Sequence, residues 1–175
     1  MKKCLIVVDY QNDFINGALG FETAPKIKDA IINKIKAYRA SSDDIIFTMD
    51  THDENYLNTE EGENLPVKHC VKGTPGHEIQ SDVKALMSPE DKVFEKNTFP
   101  SLDLGLYLKN KDYDVVELCG LVSNICVISN AVIVKSALPN AHVVVDALAT
   151  DSFDHPLHKK SLDVLEGLQV EVLNK

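Results

Sequence analysis

The stretch that decides the fold is GLVSNICV at residues 120–127. The apolar run before it, residues 115–119, is typical of a buried strand that ends at Gly120. The segment after it, residues 125–137, is apolar on nearly every side and predicts a buried helix. Ser123 or Asn124 is expected to cap this helix, which places Cys126 in its first turn. The pattern is therefore strand, tight turn and helix, with a cysteine at the turn.

A thiol in the first turn of a helix lies near the positive end of the helix dipole and near unpaired backbone N–H groups, and both favour the thiolate. The same N–H groups could hold an oxyanion that forms on a carbonyl attacked by the sulfur. Free cysteine is, however, usually a small buried hydrophobic residue. This segment alone supports the catalytic and the structural interpretation of Cys126 equally.

The composition indicates one domain, residues 1–175, long enough to bury a full core. With no apolar run of membrane-spanning length and no signal peptide, we expect a cytoplasmic protein without a membrane partner. The net charge of −9 argues against nucleic acid as a partner. The four cysteines lack disulfide or zinc-ribbon spacing, which indicates reduced thiols: Cys4, Cys70, Cys119 and Cys126.

Strands and helices alternate along the whole chain. Strands are predicted at residues 5–8, 45–48, 92–95, 115–119, 141–145 and 169–173. Helices are predicted at residues 25–38, 102–108, 125–137 and 156–165, and residues 51–78 form a long irregular loop. This alternation predicts an α/β fold with a parallel, Rossmann-like sheet of about six strands and helices on both faces.

In such sheets, ligands bind at the carboxyl ends of the strands. Asp9 follows the first predicted strand, Asp50 and His52 follow the second, Lys96 the third and Cys126 the fourth. Every chemically reactive candidate therefore lies at one edge of the sheet, and this favours the catalytic interpretation of Cys126.

Asp9 ends an aliphatic strand, where a carboxylate is costly to bury unless it is paired. Lys96 could supply the partner. Beside a thiol, Asp9 could take the thiol proton and return it to a leaving amine, while Lys96 balances the charge. The alternative is a purely structural ion pair. Asp13 is expected to be a turn or helix-capping carboxylate.

A second cluster of polar residues follows the second strand. Asp50 and His52 project alike, and His69, with Glu61 nearby in sequence, could close a metal site for zinc, manganese or iron(II). Cys70 is more simply explained as a packed thiol. Loop histidines usually lie at the surface, and this is the expectation for four others: His77, His142, His155 and His158.

These motifs together resemble the isochorismatase-like cysteine hydrolases, and within them the nicotinamidase/pyrazinamidase group, nearly from end to end. The resemblance rests on five motifs in the same order: Asp9–Phe14, Asp50–His52, His69–Gly76, Lys96–Phe99 and Gly120–Val127.

The resemblance implies a catalytic triad of Asp9, Lys96 and Cys126. It also implies a cis peptide bond between Val122 and Ser123, which turns the N–H groups of Val122 and Cys126 toward an oxyanion. As a cofactor it implies a divalent metal ion, with zinc expected first and manganese or iron as alternatives. Its ligands would be three residues of the motifs and one acidic residue of the long loop: Asp50, His52, His69 and Glu61.

The implied reaction is hydrolysis of a small flat carboxamide, with nicotinamide as the first candidate. Phe14 and Leu19 are the expected substrate-binding residues. The chain departs from the group at residues 65–68, where no aromatic residue precedes the metal histidine. Cys126 itself argues against an isochorismatase proper, whose vinyl-ether hydrolysis needs no thiol. The alternatives are another amide or N-carbamoyl hydrolase of the family, and a non-catalytic fold with a structural metal and thiol. The family also implies a homo-oligomer.

Overall fold

The computed structural model describes residues 1–175 and contains one six-stranded parallel sheet, in the strand order β3-β2-β1-β4-β5-β6. The predicted fold class is confirmed. The strands are β1 (Lys3–Val8), β2 (Asp44–Asp50), β3 (Lys92–Lys96), β4 (Val115–Leu121), β5 (His142–Asp151) and β6 (Glu171–Leu173). The order reverses direction between β1 and β4, so the crevice beside these two strands is the expected ligand site.

Helices cover both faces of the sheet. They are α1 (Asn12–Ile15), α2 (Lys28–Ala40), α3 (Glu60–Asn64), α4 (Ser81–Lys84), α5 (Leu102–Leu108), α6 (Ile128–Ala137) and α7 (His155–Gly167). Single 3₁₀ turns lie at Ala24–Ile27 and Tyr56–Asn58. Helices α5, α6 and α7 pack in one core cluster, and α1, α2 and α4 pack in the other. No helix has the length and apolar character required to span a bilayer.

Strand β1 shows why both faces must be covered. Cys4, Ile6 and Val8 belong to the core under α5, α6 and α7, whereas Leu5 and Val7 belong to the opposite core. All five residues are essentially inaccessible to solvent. An unbroken aliphatic run is what a parallel strand buried on both faces requires.

The segment after β4 differs from the single capped helix that the sequence predicted. Residues Ser123–Val127 form a π-helical turn, and the regular helix α6 begins only at Ile128. Val122 occupies the capping position without a side-chain hydrogen bond. Ser123 does not cap because its Oγ is hydrogen-bonded to Nδ1 of His158, at 2.9 Å. The predicted capping role of Ser123 or Asn124 was therefore wrong.

Candidate active site

The carboxyl edge of the sheet brings the predicted catalytic residues together. Asp9 directly follows β1, Lys96 is the last residue of β3, and Cys126 lies in the turn after β4. All three side chains are buried. Asp9 has a positive φ of 45°, a conformation that non-glycine residues adopt mainly at turns and functional sites.

Lys96 is the centre of this group. Its Nζ lies 2.6 Å from Asp9 Oδ2 and 3.7 Å from Cys126 Sγ. The ammonium also donates to the Thr98 carbonyl oxygen, at 3.0 Å. On its other side, Asp9 accepts a 2.6 Å hydrogen bond from Thr48 Oγ1. Asp9 is thus oriented by a hydroxyl and an ammonium, and the Cys126 sulfur lies beside the same ammonium.

Burial controls the protonation of these groups. Burial raises the pKa of the Cys126 thiol well above its ordinary value, and the nearby charge of Lys96 only partly offsets this. The sequence pattern considered only the helix terminus, which favours the thiolate, whereas burial in the assembled site favours the neutral thiol. Burial also raises the pKa of Asp9, against the effect of Lys96. Burial works to lower the pKa of Lys96, but the charge of Asp9 and other nearby anions raises it overall.

These directions define the resting state of the group. The thiol is neutral, Lys96 carries its charge, and Asp9 is a stronger base than an ordinary carboxylate. Asp9 Oδ2 accepts no directed hydrogen bond, although it lies beside the ammonium. A buried carboxylate oxygen with a free lone pair is a suitable acceptor for the thiol proton.

The turn that carries Cys126 begins with a cis peptide bond between Leu121 and Val122. The expected position, between Val122 and Ser123, was one residue too late. The helical turn already begins at Ser123, and the carbonyl of Val122 accepts from the N–H groups of Ile125 and Val127. The chain therefore changes direction between the end of β4 at Leu121 and Val122, before the helical turn begins. The N–H of Val122 donates no hydrogen bond, so it is free for a ligand.

The predicted metal ligands also meet at one point. Their ligand atoms all lie within 4.8 Å of one another, and the four residues are Asp50, His52, Glu61 and His69. Asp50 Oδ2 lies 3.0 Å from His52 Nε2 and 3.2 Å from His69 Nε2. Glu61 Oε1 lies 3.8 Å and 3.7 Å from the same two nitrogens.

The surroundings of this cluster fit a divalent cation. His69 Nδ1 lies 2.8 Å from the Val67 carbonyl oxygen, so the proton sits on Nδ1 and Nε2 is left as a ligand atom. Burial raises the pKa of Asp50, but hydrogen bonds to the two histidines lower it overall, and the carboxylate stays ionised. Glu61 Oε2 is buried without a hydrogen-bond partner. An orphaned carboxylate oxygen beside two imidazoles is a feature that a bound cation would satisfy.

Supporting residues hold the two clusters in place. Gln11 is fully buried and brackets Asp50: its Nε2 donates to the Asp50 carbonyl, and its Oε1 accepts from the Asp50 N–H, both at 2.8 Å. Asp13 was predicted to be a local turn or cap residue. Its Oδ1 does accept locally from Ala18 N, but its Oδ2 also accepts from the N–H of Cys70, at 2.7 Å. Asp13 therefore fastens the metal-ligand loop to the chain after β1.

Two of the four histidines expected at the surface are not exposed. His77 is buried, with Nε2 at 2.8 Å from Thr51 Oγ1. His158 is half-buried against Ser123. His142 and His155 are exposed as predicted. Cys70 is a fully buried free thiol, which agrees with its interpretation as a packed residue.

A cavity of about 370 Å³ opens above both clusters, and Cys126, Asp50, His69 and Glu61 all line it. Phe14 and Leu19 lie in its wall, where the sequence placed them. The other main apolar lining residues were missed by sequence reasoning: Leu65, Phe99, Ile125 and Phe153. Phe153 carried a usable signal, since it follows β5 at the same edge of the sheet as the reactive residues.

This arrangement places the protein in the class of α/β hydrolytic enzymes with a thiol at the turn between strand and helix. The chain matches the isochorismatase domain over residues 3–175, and it belongs to the isochorismatase family. The predicted family and its hydrolase class are confirmed.

Its relatives agree with this assignment. The chain is 31% identical, over 93% of each chain, to the uncharacterized isochorismatase family protein PncA of Bacillus subtilis. It superposes with a TM-score of 0.87 on the crystal structure of nicotinamidase/pyrazinamidase PncA from Bacillus subtilis, with 28% identity over 99% of this chain and 100% of that one. The pyrazinamidase of Pyrococcus horikoshii in complex with zinc has the same fold, with a TM-score of 0.86, 23% identity and full coverage of both chains.

Proposed function

We propose that the protein is a cysteine amidohydrolase that converts a small flat carboxamide, nicotinamide first among the candidates, into its acid and ammonia. The observation that carries this proposal is the position of Cys126. Its sulfur lies beside a buried Asp9–Lys96 pair, at a cavity that is also lined by three of the four candidate metal ligands. The name of the 28% identical Bacillus subtilis enzyme supports the choice of substrate.

In the first half of the reaction, Asp9 takes the proton of the Cys126 thiol, and the sulfur attacks the amide carbon. The charge on the carbonyl oxygen is received by the N–H groups of Val122 and Cys126. Asp9 then gives its proton to the amide nitrogen, the C–N bond breaks, and ammonia leaves a thioester on the sulfur. Lys96 remains protonated throughout and stabilises whichever neighbour, Asp9 or Cys126, carries the negative charge.

In the second half, a water molecule replaces ammonia. Asp9 removes a proton from this water as its oxygen attacks the thioester carbon, and the same N–H groups receive the oxyanion. The C–S bond then breaks, the acid is released, and Asp9 returns the proton to the sulfur. The enzyme ends in its starting state, with a neutral thiol and an ionised Asp9.

We propose that Asp50, His52, His69 and Glu61 hold a divalent ion, with zinc expected before manganese or iron. Two imidazole nitrogens and two carboxylates are a donor set that all three ions accept. When bound, such an ion would supply a Lewis acid that could anchor a donor atom of the substrate, such as a ring nitrogen. His69 and Glu61 line the cavity, so the anchor would lie within reach of a ligand there.

The walls of the cavity support a flat, apolar substrate. Phe14 packs against His69, with ring centroids 5.7 Å apart, and it offers an aromatic wall beside the metal-ligand residues. Phe99 and Phe153 add further aromatic surface. The chain lacks the aromatic residue that usually precedes the metal histidine, and these three rings supply aromatic surface in the cavity. Stacking between rings would orient the carboxamide toward the sulfur.

The test is ammonia release from nicotinamide by the purified protein, before and after chelation. We expect release that falls on chelation and returns with zinc, manganese or iron. Cys126→Ala should abolish turnover but keep its metal, whereas the matched variant Cys4→Ala, at the opposite end of the sheet, should stay active. Substantial activity in Cys126→Ala would refute the mechanism. No release by the folded, metal-loaded protein would redirect the search to other carboxamides and N-carbamoyl compounds.

We also propose a cytoplasmic location and a homo-oligomeric state. All four cysteines are free thiols, which agrees with a reducing compartment. Helix α5 exposes Leu102 and Leu106, one turn apart, at 70% and 56% of their surface, and a second subunit would cover such side chains. Light scattering on the purified protein tests the oligomer; a monomer at micromolar concentration would contradict it.

A further inference from the structure

Asn130 is a buried amide in α6 with no role in the proposed mechanism, yet it contacts both sides of the active site. It is completely inaccessible to solvent. Its Nδ2 donates to the carbonyl oxygen of Cys126, at 2.8 Å, and to the carbonyl oxygen of Phe99, at 3.2 Å. Its Oδ1 accepts from the N–H of Ser101, at 3.0 Å. Both N–H groups and the carbonyl of this amide are therefore used.

These three bonds join the two segments that carry the reactive groups. One segment is the turn with Cys126. The other is the loop of residues 97–101, which follows Lys96 at the end of β3 and carries Phe99 into the cavity wall. Lys96 donates to the Thr98 carbonyl of the same loop. The loop is thus attached to the ammonium at its start and to Asn130 at its end.

We propose that Asn130 is a positioning residue that fixes the Cys126 thiol relative to the Lys96 ammonium and holds Phe99 against the substrate cavity. Only a short side chain with two donors and one acceptor can bridge two carbonyls and one N–H. Aspartate keeps the acceptor but presents a carboxylate to two carbonyl oxygens. Serine is too short to reach both segments and offers a single donor. The donors and the acceptor of the Asn130 amide, and not only its volume, therefore suit the backbone groups of the two segments.

The consequence for the reaction is geometric. The sulfur and the ammonium are 3.7 Å apart, and they belong to segments that follow two strands which are not neighbours in the sheet. Displacing reacting groups by about 1 Å costs on the order of 100-fold in rate. Without the Asn130 hydrogen bonds, the loop and the turn can move apart. We therefore expect the rate of the chemical step to fall more than the affinity for substrate.

The test compares Asn130→Asp and Asn130→Ser with Ser136→Ala, which removes a polar group from an exposed position of the same helix. Folding is checked by circular dichroism at the assay temperature. We expect kcat on nicotinamide to fall about 100-fold in both Asn130 variants with a smaller change in KM, and Ser136→Ala to match the wild type. The rate of iodoacetamide alkylation of Cys126, followed by mass spectrometry, should fall about tenfold, because the thiolate loses its neighbouring ammonium.

The inference rests on the proposed function, but alkylation needs no substrate, so the two can fail separately. If the wild type leaves nicotinamide intact while alkylation still slows in both variants, the positioning role stands and the substrate is wrong. If either folded variant keeps wild-type kcat and the wild-type alkylation rate, Asn130 is not a positioning residue. Reduced stability with unchanged alkylation would likewise assign it a purely structural role.

Discussion

Lys96 Nζ lies 2.6 Å from Asp9 Oδ2, and the two side chains are 3% and 0% exposed. Removing one member of a buried pair leaves the other without compensation and costs about 3–5 kcal/mol, whereas removing both costs much less. We expect Lys96→Met and Asp9→Asn each to destabilise the protein by about this amount, and the double variant to be more stable than the sum of the two losses predicts. Urea unfolding measures all three.

The exposed pair Lys72–Glu95 serves as the control for this cycle. Because water and ions screen surface pairs, Lys72→Met and Glu95→Gln should change the unfolding free energy little. Strictly additive losses at Asp9 and Lys96 would mean that the two groups do not stabilise each other. The proposed role of Lys96 as the permanent counter-charge would then be wrong.

Metal binding should also be visible as stability. A ligand that binds only the folded state stabilises it by about 2.7 kcal/mol at 100 times its dissociation constant. We therefore expect chelation to lower the melting temperature, and His69→Ala to lower it without any further effect of chelator. His155→Ala changes an exposed histidine outside the cluster and should keep both the metal and the response. If chelator does not change the melting temperature of the metal-loaded wild type, the proposed metal site is wrong.

Gly120 allows β4 to lie very close to Val8, its partner residue in β1. Its φ is +112°, and a β-carbon there would lie 2.0 Å from the carbonyl oxygen of Val8. We expect Gly120→Ala to destabilise the protein by at least about 2 kcal/mol, from backbone strain and from overlap with β1. Gly167→Ala is the matched control, because nothing lies within 4 Å of its added carbon. Calorimetry should show a large loss for the first variant and none for the second.

The fold and the edge that carries the site follow from sequence because their causes are local. Four consecutive aliphatic residues, Leu5–Val8, predict β1, and the parallel arrangement puts the residues after each strand at one edge. Asp9 and Lys96 were predicted in this way because they lie directly at strand ends, and Cys126 because it lies in the turn that follows β4.

Most of the errors arise where distant parts of the chain meet. The position of the cis bond is a property of backbone angles between β4 and the turn, and no side-chain pattern encodes it. Ser123 was expected to cap a helix, but it bonds to His158, which lies 35 residues away. The thiolate expectation considered the helix terminus alone, whereas the burial that decides the Cys126 pKa comes from the assembled site. Asn130 has no motif at all; its role depends on the loop before α5.

His158 gives the protein a defined response to acid. Burial lowers the pKa of this histidine below 6.5; Asp151 acts against the shift, and His155 and Lys159 act with it. Near pH 6 the unfolded chain therefore binds more protons at His158 than the native protein does. Stability from this group is full above pH 6.5 and is lost as the pH falls through the native pKa.

We expect His158→Gln, which can keep a hydrogen bond to Ser123 Oγ, to lose less stability than the wild type between pH 7 and pH 5. The difference should be below about 1 kcal/mol, because the ring is only half-buried and solvent screens its charge. Urea unfolding of the wild type and His158→Gln across this pH range measures it. If the stability of the wild type and of His158→Gln changes in parallel with pH, His158 has the same pKa in the folded and unfolded states. The desolvated environment of His158 described here would then be wrong.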